Sequence, residues 1–217
     1  GFVGNLVVPR SIDGDTAAGG GSALLINILL LSLFAVQHSV MARQWFKRAW
    51  TKIVPRPVER STFVLFASVV LAFLMWQWRP MTGTVWNVEG SVGEPILQVT
   101  FWLGWGMVLL ATFLIDHFEL FGLKQVWLHL RGEEYRPPSF ATPFFYKRTR
   151  HPLYLGFMIA FWSAPHMTTG HLLFALMTTG WMLVAIQFEE RDLLRFHGQA
   201  YVEYRERVRM LLPLRRR

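Results

Sequence analysis

The feature that most constrains this chain is a series of five apolar runs, each long and almost free of charged residues. A helix needs about 20 mostly apolar residues to cross the hydrocarbon layer of a membrane. Inside that layer a backbone must satisfy its own hydrogen bonds, which a helix does. The runs predict an all-α fold, a polytopic transmembrane helical bundle that forms one domain over residues 1–217, with about five spans at 22–39, 61–78, 96–115, 153–168 and 171–188.

The basic residues give this bundle an orientation. The net charge of +8 suits either nucleic-acid binding or the positive loops that orient a membrane protein. Of the 22 Lys and Arg residues, only Arg10 and Arg79 lie outside the segments after the first, third and fifth spans. Those segments are therefore expected in the cytoplasm, and nucleic acid is not expected as a partner. Residue 1 would lie outside, and the apolar stretch Gly1–Val8 could be the end of an earlier helix.

Two further segments are predicted at the membrane interfaces. Residues Phe118–Leu130 carry apolar side chains at helical spacing and are expected to form an interfacial helix that ends at Pro137 and Pro138. Three tryptophans near the outer end of the second span are typical of an interfacial aromatic belt. They are Trp76, Trp78 and Trp86.

Several kinds of functional site are excluded by residues that the chain lacks. Cysteine is absent, so disulfides, thiolate metal sites and a cysteine nucleophile are excluded. The seven histidines do not have metal-ligand spacing, and no metal site is expected. Phosphate-binding glycine loops are also missing. Polar groups near the ends of spans are costly in a membrane, so they become the functional candidates.

The first polar cluster runs from Tyr146 to Gly156, where the fourth span begins. Pro152 suits the first turn of a helix and biases His151 towards an extended backbone. The start of that helix offers free N–H groups for a carboxylate or phosphate. Gly156 lets another group approach the backbone closely. An interfacial anchor of basic and aromatic residues would explain the same pattern.

The second cluster, Glu189–Asp192, leaves the fifth span. Pro165 and Gly170 bracket a tight turn, so the last two spans are expected to form an antiparallel hairpin. His151–Tyr154 would then face Glu189–Glu190 across a few ångströms. A carboxylate beside aromatic rings suits a ligand that carries an ammonium or sulfonium cation. The alternative is a solvated helix end with Glu–Arg pairs.

A third cluster gathers around the inner ends of the first three spans. Gln37–Arg43 ends the first span and includes His38, and Glu59–Thr62 opens the second. A lone histidine at such a place is more often a structural hydrogen-bonding group than a catalyst. Asp116 and His117, which end the third span, could join the same cavity.

The C-terminal third resembles a known superfamily. The residues that carry the resemblance are Arg150-His151-Pro152-x-Tyr154-x-Gly156, then Glu189-Glu190, then Phe196-x-Gly198-x-x-Tyr201-x-x-Tyr204. This pattern is similar to that of the isoprenylcysteine carboxyl methyltransferase superfamily, which wraps S-adenosylmethionine at the cytoplasmic face. The resemblance implies a cofactor region over 138–213, with contacts from Tyr146, His151, Pro152, Leu153, Tyr154, Glu189 and the backbone around Pro138–Ala141.

The substrate implied by the resemblance is a small thiol. Prenylcysteine enzymes carry an arginine for the substrate carboxylate where this chain has Ala185. The segments Gln37–Arg43, Glu59–Thr62 and Trp78–Pro80 resemble those of the bacterial methanethiol S-methyltransferases, which convert methanethiol to dimethyl sulfide. The expected products are therefore a thioether and S-adenosylhomocysteine. The expected location is the bacterial inner membrane, with the active site facing the cytoplasm.

The expected chemistry needs a base. The thiolate is the nucleophile, so the thiol must lose its proton to a group within hydrogen-bonding reach. His38 and His117 are the candidates for that role. Membrane lipid and the thiol are the only partners expected, and no protein partner is predicted.

Two rival functions remain open from the sequence. Membrane sterol reductases share the C-terminal pattern but bind NADPH, and they typically have Asn where this chain has Leu153. A non-enzymatic membrane assembly or transport protein would bind no cofactor at all.

Overall fold

The computed structural model describes residues 1–14, 20–136 and 140–212. Within these residues four helices are long and apolar enough to cross a membrane, which confirms the polytopic helical bundle. The helices are α1 (Gly20–Ala42), α2 (Gln44–Trp50), α3 (Arg56–Gln77), α4 (Gly93–Leu114), α5 (His117–Leu120), α6 (Leu123–Leu130), α7 (Pro152–Trp162), α8 (Thr169–His197) and α9 (Gln199–Arg207), with strands β1 (Thr84–Asn87) and β2 (His166–Thr168). We call the end where α1, α4 and α8 finish the basic end.

The fourth predicted span is shorter than expected. The helix α7 has 11 residues, about 16 Å at 1.5 Å per residue, and it stops at Trp162. Pro165 lacks a backbone N–H, and the following residues form β2, which pairs antiparallel with β1. The prediction of a helix to Thr168 and a tight turn was therefore wrong. The fifth predicted span runs on without a break to His197, so Glu189–Asp192 lies inside α8 rather than after it.

The start of α7 is held against α4 by two glycines. A Cβ added to Gly156 would lie 2.8 Å from the Gly104 carbonyl oxygen. A Cβ added to Gly104 would lie 2.7 Å from the backbone nitrogen of Ala160. Small residues let membrane helices pack backbone against backbone in this way. The predicted close approach at Gly156 is confirmed, and the approaching group is α4.

The contact between α4 and α7 gives a stability prediction. We expect Gly104→Ala to lower the melting temperature in detergent, because its methyl group has no space beside Ala160. Gly106→Ala on the same helix is the matched control, since a Cβ there meets nothing within 4 Å. Thermal unfolding followed by circular dichroism measures both. Equal melting temperatures for the two variants would show that the close contact between α4 and α7 at Gly104 does not contribute to stability.

The N-terminal segment folds over the opposite end of the bundle. Residues 1–14 form turns rather than the end of a helix, which corrects the expectation for Gly1–Val8. Phe2 is buried with its ring 5.9 Å from that of Trp78. Trp78 is only 3% exposed and its Nε1 donates to the Ile12 carbonyl. Trp78 is therefore a core residue, whereas Trp76 is exposed as an interfacial residue would be.

A polar clamp fastens this segment. The Asp13 carboxylate accepts a hydrogen bond from Thr168 Oγ1 and lies 3.4 Å from His171 Nδ1. Burial raises the pKa of Asp13, but hydrogen bonds from His171, Asn5 and Thr168 outweigh it and hold that pKa below its ordinary value. The clamp therefore ties the N-terminal segment to the start of α8.

The predicted interfacial helix is split in two. Gly122, at φ +78°, separates α5 from α6, and a Cβ there would lie 2.5 Å from the Ser61 backbone nitrogen. The apolar face of α6 is exposed, as an interfacial helix requires: Leu123, Trp127 and Leu130. The predicted stop at Pro137 and Pro138 lies outside the described residues.

Candidate active site

The start of α7 is fixed by the end of the chain. Arg150 N donates to Arg209 O at 2.9 Å, and His151 N donates to Met210 O at 3.2 Å. Thr149 adds a side-chain bond from Oγ1 to Met210 O. The segment after α9 thus lies across the residues that lead into α7. Pro152 is the first residue of α7, as predicted.

A buried ion pair joins this start to α8. Arg150 Nη2 lies 2.6 Å from Glu190 Oε1, and the two side chains are only 7% and 8% exposed. Arg150 Nη1 also donates to Val208 O at 2.6 Å. His151 Nε2 lies 3.1 Å from the same Glu190 oxygen. Glu190 is therefore fully engaged in holding Arg150 and His151 together.

The neighbouring carboxylate, Glu189, is not used in this way. Its side chain is 45% exposed, and Oε2 lies 3.8 Å from His151 Nδ1. Glu189 also hydrogen bonds the Tyr154 side chain. The ring of Tyr154 lies 5.8 Å from the ring of His151. Three of the predicted cofactor residues are thus together at the basic end, around a carboxylate that solvent can reach.

The remaining predicted cofactor residues border the same group. Tyr146 lies in the 3-10 turn Phe144–Lys147, and its carbonyl accepts a hydrogen bond from the Tyr204 hydroxyl at 2.6 Å. Burial raises the pKa of the Tyr146 hydroxyl, and the charge of Glu189 raises it further. Burial also raises the pKa of Tyr204 to about 12. Both hydroxyls stay neutral near pH 7, so they act as hydrogen-bond donors rather than as bases.

Backbone donors complete the group. The first intrahelical bond of α7 runs from Leu155 N to His151 O. The N–H groups of half-buried Leu153 and Tyr154 therefore belong to the first turn, where a helix presents donors to an anion. Of the predicted backbone contacts at Pro138–Ala141, Pro138 and Ser139 lie outside the described residues.

The two candidate bases make their contacts elsewhere. The His38 ring packs on Phe34 and Phe63, at 5.6 and 5.0 Å, and its Nδ1 is buried without a hydrogen-bond partner among the described residues. The His117 ring stacks on Phe113 at 4.5 Å, and its Nδ1 lies 2.9 Å from Thr112 Oγ1. Since the Thr112 hydroxyl donates to Leu109 O, His117 Nδ1 is the donor to it. His38 therefore keeps an unused ring nitrogen inside the bundle.

One charged residue that was assigned no role from the sequence lies beside the segment of α8 that carries Glu189. The Arg43 guanidinium lies 4.7 Å from the centroid of the Phe188 ring and 3.8 Å from Asp192. The sequence feature that could have indicated Arg43 is its place as the last residue of Gln37–Arg43.

A one-residue step along a helix turns a side chain by about 100°, which is why Glu189 and Glu190 have separate surroundings.

A polar cavity of about 520 Å³ also lies at the basic end, between α2, the start of α3 and the α5–α6 pair. Its lining includes Lys47, Arg60, Glu119 and Tyr135. The Tyr135 hydroxyl bonds Glu119, and Arg60 Nε donates to Leu120 O at 2.8 Å. No lining residue belongs to the predicted cofactor set, so this cavity is separate from the Glu189 group.

Comparison with known proteins identifies the family. No family model matches the chain, and no solved structure matches it. The chain is 56% identical to methanethiol S-methyltransferase of Mycobacterium tuberculosis over 98% of its own length and 87% of that protein. It is 55% identical to methanethiol S-methyltransferase 1 of Bradyrhizobium diazoefficiens over its full length and 76% of that protein.

A more distant relative has a different name. Nurim of Mus musculus is 29% identical over 82% of this chain and 71% of its own length. The matches to the two bacterial relatives extend over 98% and 100% of the present chain. The chain therefore belongs to the methanethiol S-methyltransferase family.

Proposed function

We propose that this protein is an integral-membrane enzyme that methylates methanethiol to dimethyl sulfide, with S-adenosylmethionine as the methyl donor. The observation that carries the proposal is the half-exposed Glu189 carboxylate beside Tyr154 and His151, in a chain 56% identical to a methanethiol S-methyltransferase. We place the methyl donor at this same group because the group offers a negative charge and hydrogen-bond donors.

The residues fit such a donor chemically. When bound, S-adenosylmethionine supplies a methyl group on a sulfonium, together with an amino-acid end that carries an ammonium and a carboxylate. Glu189 provides a negative charge for a cation. Neutral Tyr146 and the N–H groups of Leu153 and Tyr154 provide donors for a carboxylate. Arg150 and Glu190 hold these elements in place, and His151 and Pro152 set the start of α7.

The proposal for the methyl acceptor rests on two residues of the membrane helices, Ala185 and His38. A small aliphatic thiol partitions into lipid and has no carboxylate to be bound, which agrees with Ala185 one helical turn before Glu189. The thiol must ionise before it attacks. We assign His38 as the proton acceptor because its buried Nδ1 has no other described partner. His117 is the alternative, through its Nε2.

The orientation of the site follows from charge. The basic residues flank the end of the bundle that carries Glu189, and positive segments stay in the cytoplasm. We therefore place the site at the cytoplasmic face of the bacterial inner membrane. A reductase is disfavoured because the relatives described above are named methyltransferases.

The experiment that tests the function is a headspace measurement. Purified protein is incubated with S-adenosylmethionine and methanethiol, and dimethyl sulfide is measured by gas chromatography. The expected result is dimethyl sulfide that depends on both reactants and on protein concentration. Saturable binding of NADPH, with no binding of S-adenosylhomocysteine and no product, would instead support the reductase.

The assignment of the base gives a separate prediction. His38→Ala is expected to lower kcat by about 10²–10⁴-fold, the usual contribution of a positioned base, because the thiol proton then has no acceptor. Affinity for S-adenosylhomocysteine, measured by calorimetry, is expected to stay unchanged. His129→Ala, on the interfacial helix α6, is the matched control. Normal turnover in His38→Ala would remove His38 from the mechanism.

A further inference from the structure

Arg43, the residue between α1 and α2, places a positive charge beside the segment of α8 that carries Glu189. The Arg43 Cζ atom lies 4.7 Å from the centroid of the Phe188 ring. Its Nε donates to Ser39 O at 3.3 Å, which turns the guanidinium back along α1. Phe188 directly precedes Glu189 on α8, and Asp192 lies three residues after it. The guanidinium is therefore beside the segment of α8 that carries the proposed donor site.

This charge is only partly neutralised. Arg43 Nη1 is 3.8 Å from Asp192 Oδ2, and Arg195 Nη1 is 3.9 Å from the other oxygen of the same carboxylate. Both distances are long for an ion pair, and the Arg43 side chain is 28% exposed. Arg150, in contrast, lies 2.6 Å from Glu190 and also bonds Val208 O. Arg43 consequently keeps donors that an incoming anion can use, and Arg150 does not.

Two opposite charges lie along this part of α8. Glu189 hydrogen bonds Tyr154, and Arg43 contacts Phe188 and Asp192 on the same helix. The reactants of thiol methylation have the same polarity, since the methyl donor is a cation and the thiolate is an anion. A fixed charge of opposite sign favours the ionised form of each reactant before the methyl group moves. The negative charge of Glu189 suits the cationic methyl donor, and the positive charge of Arg43 suits the anionic methyl acceptor.

We propose that Arg43 binds the methyl acceptor as its thiolate, an assignment that rests on the proposed function. The S–H bond of the thiol breaks, its electron pair stays on sulfur, and the proton passes through the proposed base, His38, to water. A cation within about 4–6 Å lowers the pKa of an acid by about 1–3 units. Below the pKa of the thiol, the ionised fraction then rises about 10–1,000-fold.

The same interaction favours release of the product. A thioether carries no charge and has no proton to donate, so Arg43 attracts the thiolate and not dimethyl sulfide. The acceptor site therefore discriminates between substrate and product by charge alone, although the two differ by one methyl group.

The test compares Arg43→Gln with wild-type protein. In weakly buffered solution without methyl donor, wild-type protein is expected to release protons when methanethiol binds, and Arg43→Gln is not. The rise of kcat with pH, which reports groups in the enzyme–substrate complex, is expected to shift upwards by about 1–3 units in Arg43→Gln. Affinity for S-adenosylhomocysteine is expected to stay the same. Arg43→Lys, which keeps the charge, is expected to restore part of the proton release.

A matched control separates this role from the ion pair with Asp192. Arg195→Gln removes the other, more exposed partner of Asp192 and is expected to leave the pH profile unchanged. An Arg43→Gln protein with the wild-type pH profile would refute the inference alone, as would a loss of S-adenosylhomocysteine affinity with unchanged proton release. Wild-type protein that makes no dimethyl sulfide would refute the proposed function and the inference together.

Discussion

Glu189→Ala is expected to bind S-adenosylmethionine about 30–5,000-fold more weakly, which corresponds to the 2–5 kcal/mol typical of truncating one partner of a charge pair. The lower part of that range is expected, because the Glu189 side chain is 45% exposed and solvent screens its charge. Equilibrium titration of the purified protein measures the affinity. The melting temperature is expected to stay near that of wild-type protein, since the Glu189 side chain is half-exposed and loses only a long contact with His151 and its hydrogen bond to Tyr154.

The comparison of two ligands sharpens this result. S-adenosylhomocysteine has the ammonium but not the sulfonium. If Glu189 faces the ammonium, both ligands lose the same affinity, and if it faces the sulfonium only S-adenosylmethionine does. Glu203→Ala, on the exposed face of α9, is the control and is expected to bind both normally. A Glu189→Ala protein that methylates methanethiol at the wild-type rate would show that the donor lies elsewhere.

Glu190→Ala is expected to destabilise the fold by about 3–5 kcal/mol, the usual effect of leaving a buried charge without its partner. Arg150, whose side chain is 7% exposed in the wild-type protein, would then have lost its carboxylate partner. His151 would lose its bond to Glu190. The measurement is the unfolding midpoint in detergent. The double variant Arg150→Met with Glu190→Leu is expected to recover much of this loss, because no uncompensated charge remains.

Glu189→Ala is the natural control for this second prediction. The two carboxylates are neighbours in sequence, and we assign one to ligand binding and the other to stability. A Glu190→Ala protein that unfolds at the wild-type midpoint but no longer binds the donor would reverse the two roles.

Much of the fold could be predicted because the membrane imposes simple rules. Four long apolar runs became helices, and the basic residues indicated how they alternate. The failures occurred where local contacts override hydropathy. The run 153–168 is apolar enough for a span, yet pairing between β1 and β2 takes its last residues. Trp78 is a tryptophan near the end of a predicted span, as an interfacial residue would be, but the N-terminal segment covers it. No local sequence pattern predicts that contact.

The site could be predicted only in part, for a similar reason. The helical hairpin interpretation placed His151 and Tyr154 near Glu189–Glu190, and the structure has them together. Which carboxylate is buried depends on the rotation of α8, which sequence spacing does not fix. Arg43 depends on how α1 packs on α8, a contact between segments about 150 residues apart. Its role could be inferred only once Phe188 and Asp192 were seen beside it.

The most direct test of the donor site uses the absence of cysteine from this chain. A single cysteine at Leu153, in the first turn of α7, is labelled with a maleimide in protein first shown to make dimethyl sulfide. The account predicts that saturating S-adenosylhomocysteine slows this labelling at least about tenfold, while labelling of Val92→Cys, exposed at the opposite end, is unchanged. Equal labelling of Leu153→Cys with and without S-adenosylhomocysteine would contradict a donor held between the start of α7 and Glu189.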